Sequence, residues 1–245
     1  MSAPSLQIVQ PKHEAALTGA APVPLVGSVS GDPAGLFFKW FSSLNAAASK
    51  DHPELNTANH SAAILNWSAP LAEFGSHAIV LAAADQDGND LASVKAVKRS
   101  AMTGGAPPAA PAPCVVHRLV AEIRTPAATA QLSKSAAIIE FLAPLRWAKQ
   151  DPGNAANWIA DADYQAVNGI TFDLDIAPVG TPNPSRTPIP LNLAALAFFR
   201  ADDKTWFRRS GALPATLGTG NHTLTLSARA GGSAVSAARN VTLTP

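Results

Sequence analysis

Several groups of side chains in this 245-residue sequence have types and spacings that chemistry could use. Asp85, Asp87 and Asn89 alternate around Gly88 like the start of a calcium loop, because a hard cation wants several converging oxygens. Ala96 stands where such a loop needs its closing glutamate, so the run reads first as a solvated turn and only weakly as a calcium site. Asp51-His52-Pro53-Glu54 with His60 offers zinc-ligand types, but on a polar, proline-containing loop without the rigid spacing zinc demands. Asp161 with Asp163, and Asp173 with Asp175, are paired carboxylates. The second pair, two residues apart on one face of a predicted strand, points to solvent, whereas glycosidase carboxylates come from separate elements across a cleft.

Nucleophiles are poorly supported. No Gly-x-Ser-x-Gly elbow occurs, and Gly218-Thr219-Gly220 lacks the lysine and helix of a phosphate-cradling loop. Cys114, with only His117 nearby on the same predicted strand, reads as a packed thiol. The expectation is therefore no catalytic residue, no metal and no cofactor. One group suggests recognition instead. Trp206-Phe207-Arg208-Arg209 sets two aromatics beside two arginines, the residue types favoured in binding hot spots. Strand alternation sends Trp206 and Arg208 to one face and Phe207 and Arg209 to the other, so one aromatic and one arginine are expected to be exposed together.

The elements that must position these residues are β-strands. Hydrophobic residues make up 47% of the chain, yet 50 of them are alanine, which leaves enough bulk for two modest cores. Charged residues are only 14% and the net charge is +1, so no strong field draws the chain to nucleic acid or an anionic membrane. One cysteine excludes an internal disulfide. No run reaches the roughly 18 apolar residues of a membrane helix, and Met1 to Ser5 opens no secretory signal, so cytoplasmic synthesis is expected. Residues 100–113, with Gly104-Gly105 and four prolines, read as an interdomain linker.

An internal repeat is the most informative pattern. Gly75-Ser76-His77 followed by Ala78-Ile79-Val80-Leu81 matches Gly220-Asn221-His222 followed by Thr223-Leu224-Thr225-Leu226. Each copy leads to a glycine turn, Gly88 or Gly231-Gly232, and then to a second alternating segment. That is a hairpin closing each half. Short alternating runs at 6–9, 23–29, 36–44, 64–67, 115–123, 137–142, 170–176, 193–199 and 205–208 complete the strands, with helical turns expected only at 45–50 and 161–167.

In Gly75, His77, Ile79, Leu81, Asp85 and Gly88 the chain resembles the closing hairpin of immunoglobulin-like modules of the polycystic-kidney-disease and bacterial Ig-like type. Phe38-Lys39-Trp40 stands where such modules carry their aromatic core strand, and Phe172-Asp173-Leu174 holds no tryptophan at that place. The resemblance implies an all-β chain of two tandem antiparallel Ig-like β-sandwiches. The domains would span 1–99 and 114–245, joined by the Pro/Ala/Gly linker and with an inserted loop around 148–169. It also implies that His77 and His222 pack at a sheet edge and bond to backbone. Tandem modules of this kind are similar to those on phage virions, tails and contractile injection particles. A non-catalytic structural protein binding a protein partner through Trp206, Phe207, Arg208 and Arg209 is the first expectation. An adhesin or carbohydrate-binding module is the alternative, and an enzyme with a site in loops 45–61 or 148–169 comes last.

Overall fold

The computed structural model describes residues 5–31, 35–44, 54–56, 61–84, 111–161, 169–182 and 184–245, and the chain divides into two units, Met1–Arg118 and Leu119–Pro245. The first unit contains β1 (Ser5–Gln10), β2 (Ala15–Leu17), β3 (Val23–Ser30), β4 (Phe37–Ser42), β5 (Asn66–Ala69), β6 (Gly75–Ala84) and β7 (Cys114–Arg118). These form two sheets, ordered β1-β3-β5 and β2-β7-β6-β4. That is the A-B-E and A′-G-F-C arrangement of an immunoglobulin-like sandwich, with A′ parallel to G.

Between the sheets lie Leu25, Phe38, Trp40, Ile79, Leu81 and Val116, all buried. The ring of Trp40 is fixed by its Nε1 donating to the Ile64 carbonyl at 2.8 Å. It fits because the facing strand carries glycine: a Cβ on Gly27 would lie 2.6 Å from Leu81 Cδ2 and 3.4 Å from Trp40 Cζ2. The outer edge of β4 is covered by a side chain acting as a strand. Asn56 Oδ1 accepts from Trp40 N at 2.7 Å and its Nδ2 donates to the Phe38 carbonyl at 3.1 Å. Paired in this way, the edge offers nothing to another chain at those positions.

The second unit contains β8 (Ile123–Thr125), β9 (Gln131–Ser133), β10 (Ala137–Leu142), β11 (Ala148–Asp151), β12 (Asn154–Ala160), β13 (Thr171–Pro178), β14 (Thr187–Pro188), β15 (Ala197–Ala201), β16 (Lys204–Gly211), β17 (Gly220–Ala230) and β18 (Ser233–Thr244). Its sheets run β11-β12-β15-β16-β10-β8 and β14-β13-β17-β18-β9. Removing β11 and β12 leaves D-E-B-A facing C′-C-F-G-A′. The expected inserted loop is thus in large part a hairpin, which extends the D edge by two strands.

The expected repeat is a repeat of structure. His77 pairs with Val116 and His222 with Val241; Trp40 pairs with Leu81 and Leu174 with Leu226. Leu174 therefore occupies the tryptophan's place in the second sandwich. Gly75 and Gly220 open the two equivalent strands at φ of 135° and 107°, a region that side chains oppose, which explains the repeated glycine.

The domain boundary differs from the expected one. The strand at 114–118 was assigned to the second half, but β7 pairs with β6 and β2 inside the first unit. The division falls between Arg118 and Leu119. The proline-rich run 100–113 thereby joins two neighbouring strands of one sheet. The expected partner segment at Leu91, Val94 and Ala96, the turn at Asp85, Asp87 and Asn89, and the helical turn at 45–50 lie outside the described residues. The same is true of most of 161–167. Two further expectations shift. Residues 62–65 and 193–195 form short 3₁₀ turns ahead of their strands, and 115–123 breaks into β7 and β8.

Candidate functional site

The four expected partner-binding residues all lie on β16, but their exposure differs from expectation. Trp206 is 2% exposed and Phe207 0%. Phe207 points into the sandwich, with Phe198, Phe141, Phe172 and Trp147 rings at 4.7, 5.2, 5.8 and 6.0 Å between centroids. Trp206 takes the opposite, outward face, as alternation requires. It is buried there because charged side chains roof it: Arg124 and Lys204 each come to 5.8 Å from the ring centroid. Its Nε1 donates to the Ala201 carbonyl at 2.9 Å. A bare outward aromatic is therefore not what this strand presents.

Arg208 does face outward, beside Trp206 on the same strand face. Its Nε donates to Glu140 Oε1 at 2.8 Å and its guanidinium lies 4.7 Å from the centroid of Phe199. Arg209 faces the other way and spends its donors on the carbonyls of Gly211 and Ala212. The β16 quartet thus divides: Trp206 and Arg208 join an outward cluster, and Phe207 and Arg209 face the other way.

Glu140 is the centre of that cluster. It is buried, directly opposite Arg208 on β10 and opposite Thr125 on β8. Thr125 Oγ1 donates to its Oε2 at 2.6 Å, and Arg124 Nη1 stands 3.7 Å from the same oxygen. Burial pushes the carboxyl pKa up, but the Thr125 hydrogen bond and the two arginines outweigh it and hold the group below its ordinary value. A charge-assisted lattice continues outward through Arg124 to Asp202 and through Lys204 to Glu122. Sequence reasoning missed this centre. The signal was available: Glu140 is the one charge inside the apolar run Ile138-Ile139-Glu140-Phe141-Leu142.

The first unit holds a second arrangement of interest. Ser76 Oγ lies 2.7 Å from His117 Nδ1, and His117 Nε2 lies 2.5 Å from Glu14 Oε2. A serine, a histidine and a carboxylate in line resemble a hydrolase triad. The accessibility is inverted, however. Ser76 is 3% exposed, and the half-exposed member is Glu14, whose backbone sits at φ of 62° with its N–H bonded to the Val115 carbonyl. Substrate cannot reach such a hydroxyl. What the array does is satisfy a buried imidazole at both nitrogens and tie β2 to β7.

The remaining expected residues can now be placed. His77 is buried with Nε2 donating to the Glu73 carbonyl at 2.9 Å, which leaves Nδ1 to accept from Ser42 Oγ at 2.8 Å. His222 Nδ1 donates to the Gly220 carbonyl at 3.0 Å. Both thus bond to backbone. Cys114 is buried, its Sγ 3.2 Å from the Pro11 carbonyl, and burial, then the Glu14 charge, push its thiol pKa up. Asp173 and Asp175 share an outward face and are neutralised by Arg229 and Arg186 at 2.6 and 2.8 Å. Asp161 is held by Lys149 at 2.9 Å and Glu54 by Lys39 at 3.1 Å; Asp163, Asp51, His52 and His60 are outside the described residues. No cluster of three potential metal ligands occurs among the described residues. No described helix is long and apolar enough to cross a membrane.

No protein-family model matches the chain, and no curated protein matches it. Solved structures similar to it include fibronectin(III)-like modules of Clostridium thermocellum CbhA, at 10% identity and a TM-score of 0.30, covering 98% of this chain and 94% of that one. Three N-terminal domains of the bacteriophage RB49 outer capsid protein Hoc align at 10% identity and a TM-score of 0.34, covering 98% and 69%. The ICAM-5 D1–D4 ectodomain fragment aligns at 11% and 0.35; 98% of this chain spans 53% of it. On its own sheet order and strand register, the chain consists of two tandem immunoglobulin-like β-sandwich modules.

Proposed function

We propose that this is a non-catalytic structural and binding protein, whose second sandwich presents a preformed surface to a protein partner. We assign that surface to the outward face of the β15-β16-β10-β8 region, where Arg124 and Arg208 stand over Trp206 and Phe199. The observation that carries the reading is the fixation of Arg208 by Glu140 on one side and by the Phe199 ring on the other. An arginine already held in place loses little side-chain entropy when a partner arrives, and arginine over aromatic is the composition of interaction hot spots. The setting we propose is a phage tail, virion or contractile injection particle, following the resemblance of tandem modules of this type to those that decorate such particles.

The test is cosedimentation of the tagged chain with particles from its own cells, beside thermal melts. Replacing Arg124 and Arg208 with serine is expected to lower incorporation tenfold or more, corresponding to about 1.4 kcal/mol. Arg209→Ser, on the opposite face, serves as the comparison and is expected to incorporate normally. Absence of the wild-type chain from particles overturns the setting. Normal incorporation of the folded double variant overturns the surface.

A further inference from the structure

The hairpin of β11 and β12 carries a second feature, separate from the arginine face. None of the seven residues of β12 is buried, so this strand overhangs the sandwich. On one face of the overhang, Gln150, Trp158 and Phe198 lie side by side in register across β11, β12 and β15. Phe198 is anchored on the core ring of Phe207 at 4.7 Å, so the row runs outward from the core and ends on the half-buried indole of Trp158. Residues 154–157 ahead of Trp158 are all exposed, and the register shifts there. Gln150 Nε2 donates to the Ala155 carbonyl at 3.0 Å, which fixes the amide and leaves its oxygen as an acceptor.

Beside this row stands a cation with no carboxylate partner among the described residues. Arg200 emerges on the same face as Phe198, its Cζ 5.8 Å from the Trp158 ring centroid and its Nη1 donating to Thr205 Oγ1 at 3.1 Å. Arg124, Arg186, Arg208 and Arg229 are matched to carboxylates, and Arg209 and Arg239 give their donors to backbone carbonyls, whereas the Arg200 guanidinium meets a hydroxyl and a ring and no carboxylate among the described residues. It is oriented by a hydroxyl and a ring.

We propose that this face binds an acidic saccharide. A pyranose presents a flat apolar patch of C–H bonds that stacks on an indole, and its hydroxyls suit a fixed amide acceptor. A uronate carboxylate supplies the anion that Arg200 lacks, in the planar paired geometry guanidinium favours. The site goes beyond the protein-partner reading and does not depend on it, since Trp158 and Arg200 lie outside the Arg124–Arg208 cluster.

The experiment is titration of the ¹⁵N-labelled full chain with oligogalacturonate, with a neutral malto-oligosaccharide and with polyglutamate, following the Trp158 indole N–H and the heat of binding. Oligogalacturonate is expected to shift the Trp158 signal at millimolar or lower concentration, the neutral sugar more weakly and polyglutamate not at all. Trp158→Ala and Arg200→Gln should each weaken oligogalacturonate binding at least tenfold. Ile159→Ala, on the opposite face of the same strand, should leave it unchanged and so report on the fold. The proposal is overturned if polyglutamate binds as well as oligogalacturonate, if no saccharide moves the Trp158 signal, or if Trp158→Ala binds like wild type. Particle incorporation of Trp158→Ala should be normal, so failure here and failure of the arginine surface are read separately.

Discussion

Three tryptophans show how one side-chain type acquires different roles. Trp40 and Trp206 both donate their indole N–H to backbone carbonyls, while Trp147 Nε1 is buried without a partner among the described residues. Replacing Trp40 by phenylalanine leaves the Ile64 carbonyl unpaired and a space in the core, so a loss of about 2–4 kcal/mol is expected. Trp147→Phe removes an unsatisfied donor but keeps a ring against Phe172 and Phe207, so stability should change by less than about 1 kcal/mol in either direction. Urea midpoints of the two variants check this contrast; equal losses would refute it. His77 gives a second prediction at this scale. Burial, reinforced by the Arg118 charge and opposed by the Glu73 carbonyl, lowers its pKa from 6.5 to about 4. The folded chain thus refuses a proton that the unfolded chain accepts, and stability falls as pH drops from about 6.5 through about 4, by up to about 3 kcal/mol. His77→Gln should flatten that part of the pH–stability curve, and an unchanged slope would assign it to other groups. The repeated histidine was legible in the sequence because it recurs in a fixed phrase. Its partner Ser42 was not, because no local pattern links residues 35 apart.

Among the elements, β7 is the one whose ownership decides how the chain can be divided. It supplies buried Cys114 and Val116 and pairs with both β6 and β2. A chain ending at residue 118 is expected to melt cooperatively, whereas one ending at 99 or 113 should show no cooperative transition, because β2 and part of β6 lose their neighbour. A cooperative melt from the chain ending at 99 would show that β7 is dispensable. Alternation, glycine turns and the repeat made most strands readable, including β3, β4, β10 and the β17–β18 hairpin. The owner of β7 was not readable, since a strand after a long proline-rich run looks the same whether it ends one sheet or begins another. Likewise, the four-residue and seven-residue strands in 148–160, AKQD and NAANWIA, hold one β-branched residue, Ile159, so the hairpin reads as a loop in sequence.

Across the whole molecule, the two units repeat one plan with different reinforcements. The first relies on Trp40 over Gly27, and the second places Leu174 at that position and gathers Phe141, Trp147, Phe172, Phe198 and Phe207 instead. In sequence, the run at Asp85, Asp87 and Asn89 lacks the ligand number of a tight calcium site. Melting in chelator and in millimolar calcium should therefore give the same midpoint for the full chain; a rise of several degrees with calcium would reveal a site in that run. The position of β7 also sets an order of events during synthesis. Chains emerge from the ribosome N-terminus first and domains fold as they appear. The first unit has β6 in hand at residue 84 but cannot complete its sheet until residues 114–118 emerge, and β8 of the second unit begins at residue 123. An incomplete first sandwich therefore waits while residues 85–113 are made. That interval, while the β6 edge awaits β7, is when a nascent-chain chaperone would have an unpaired strand to hold.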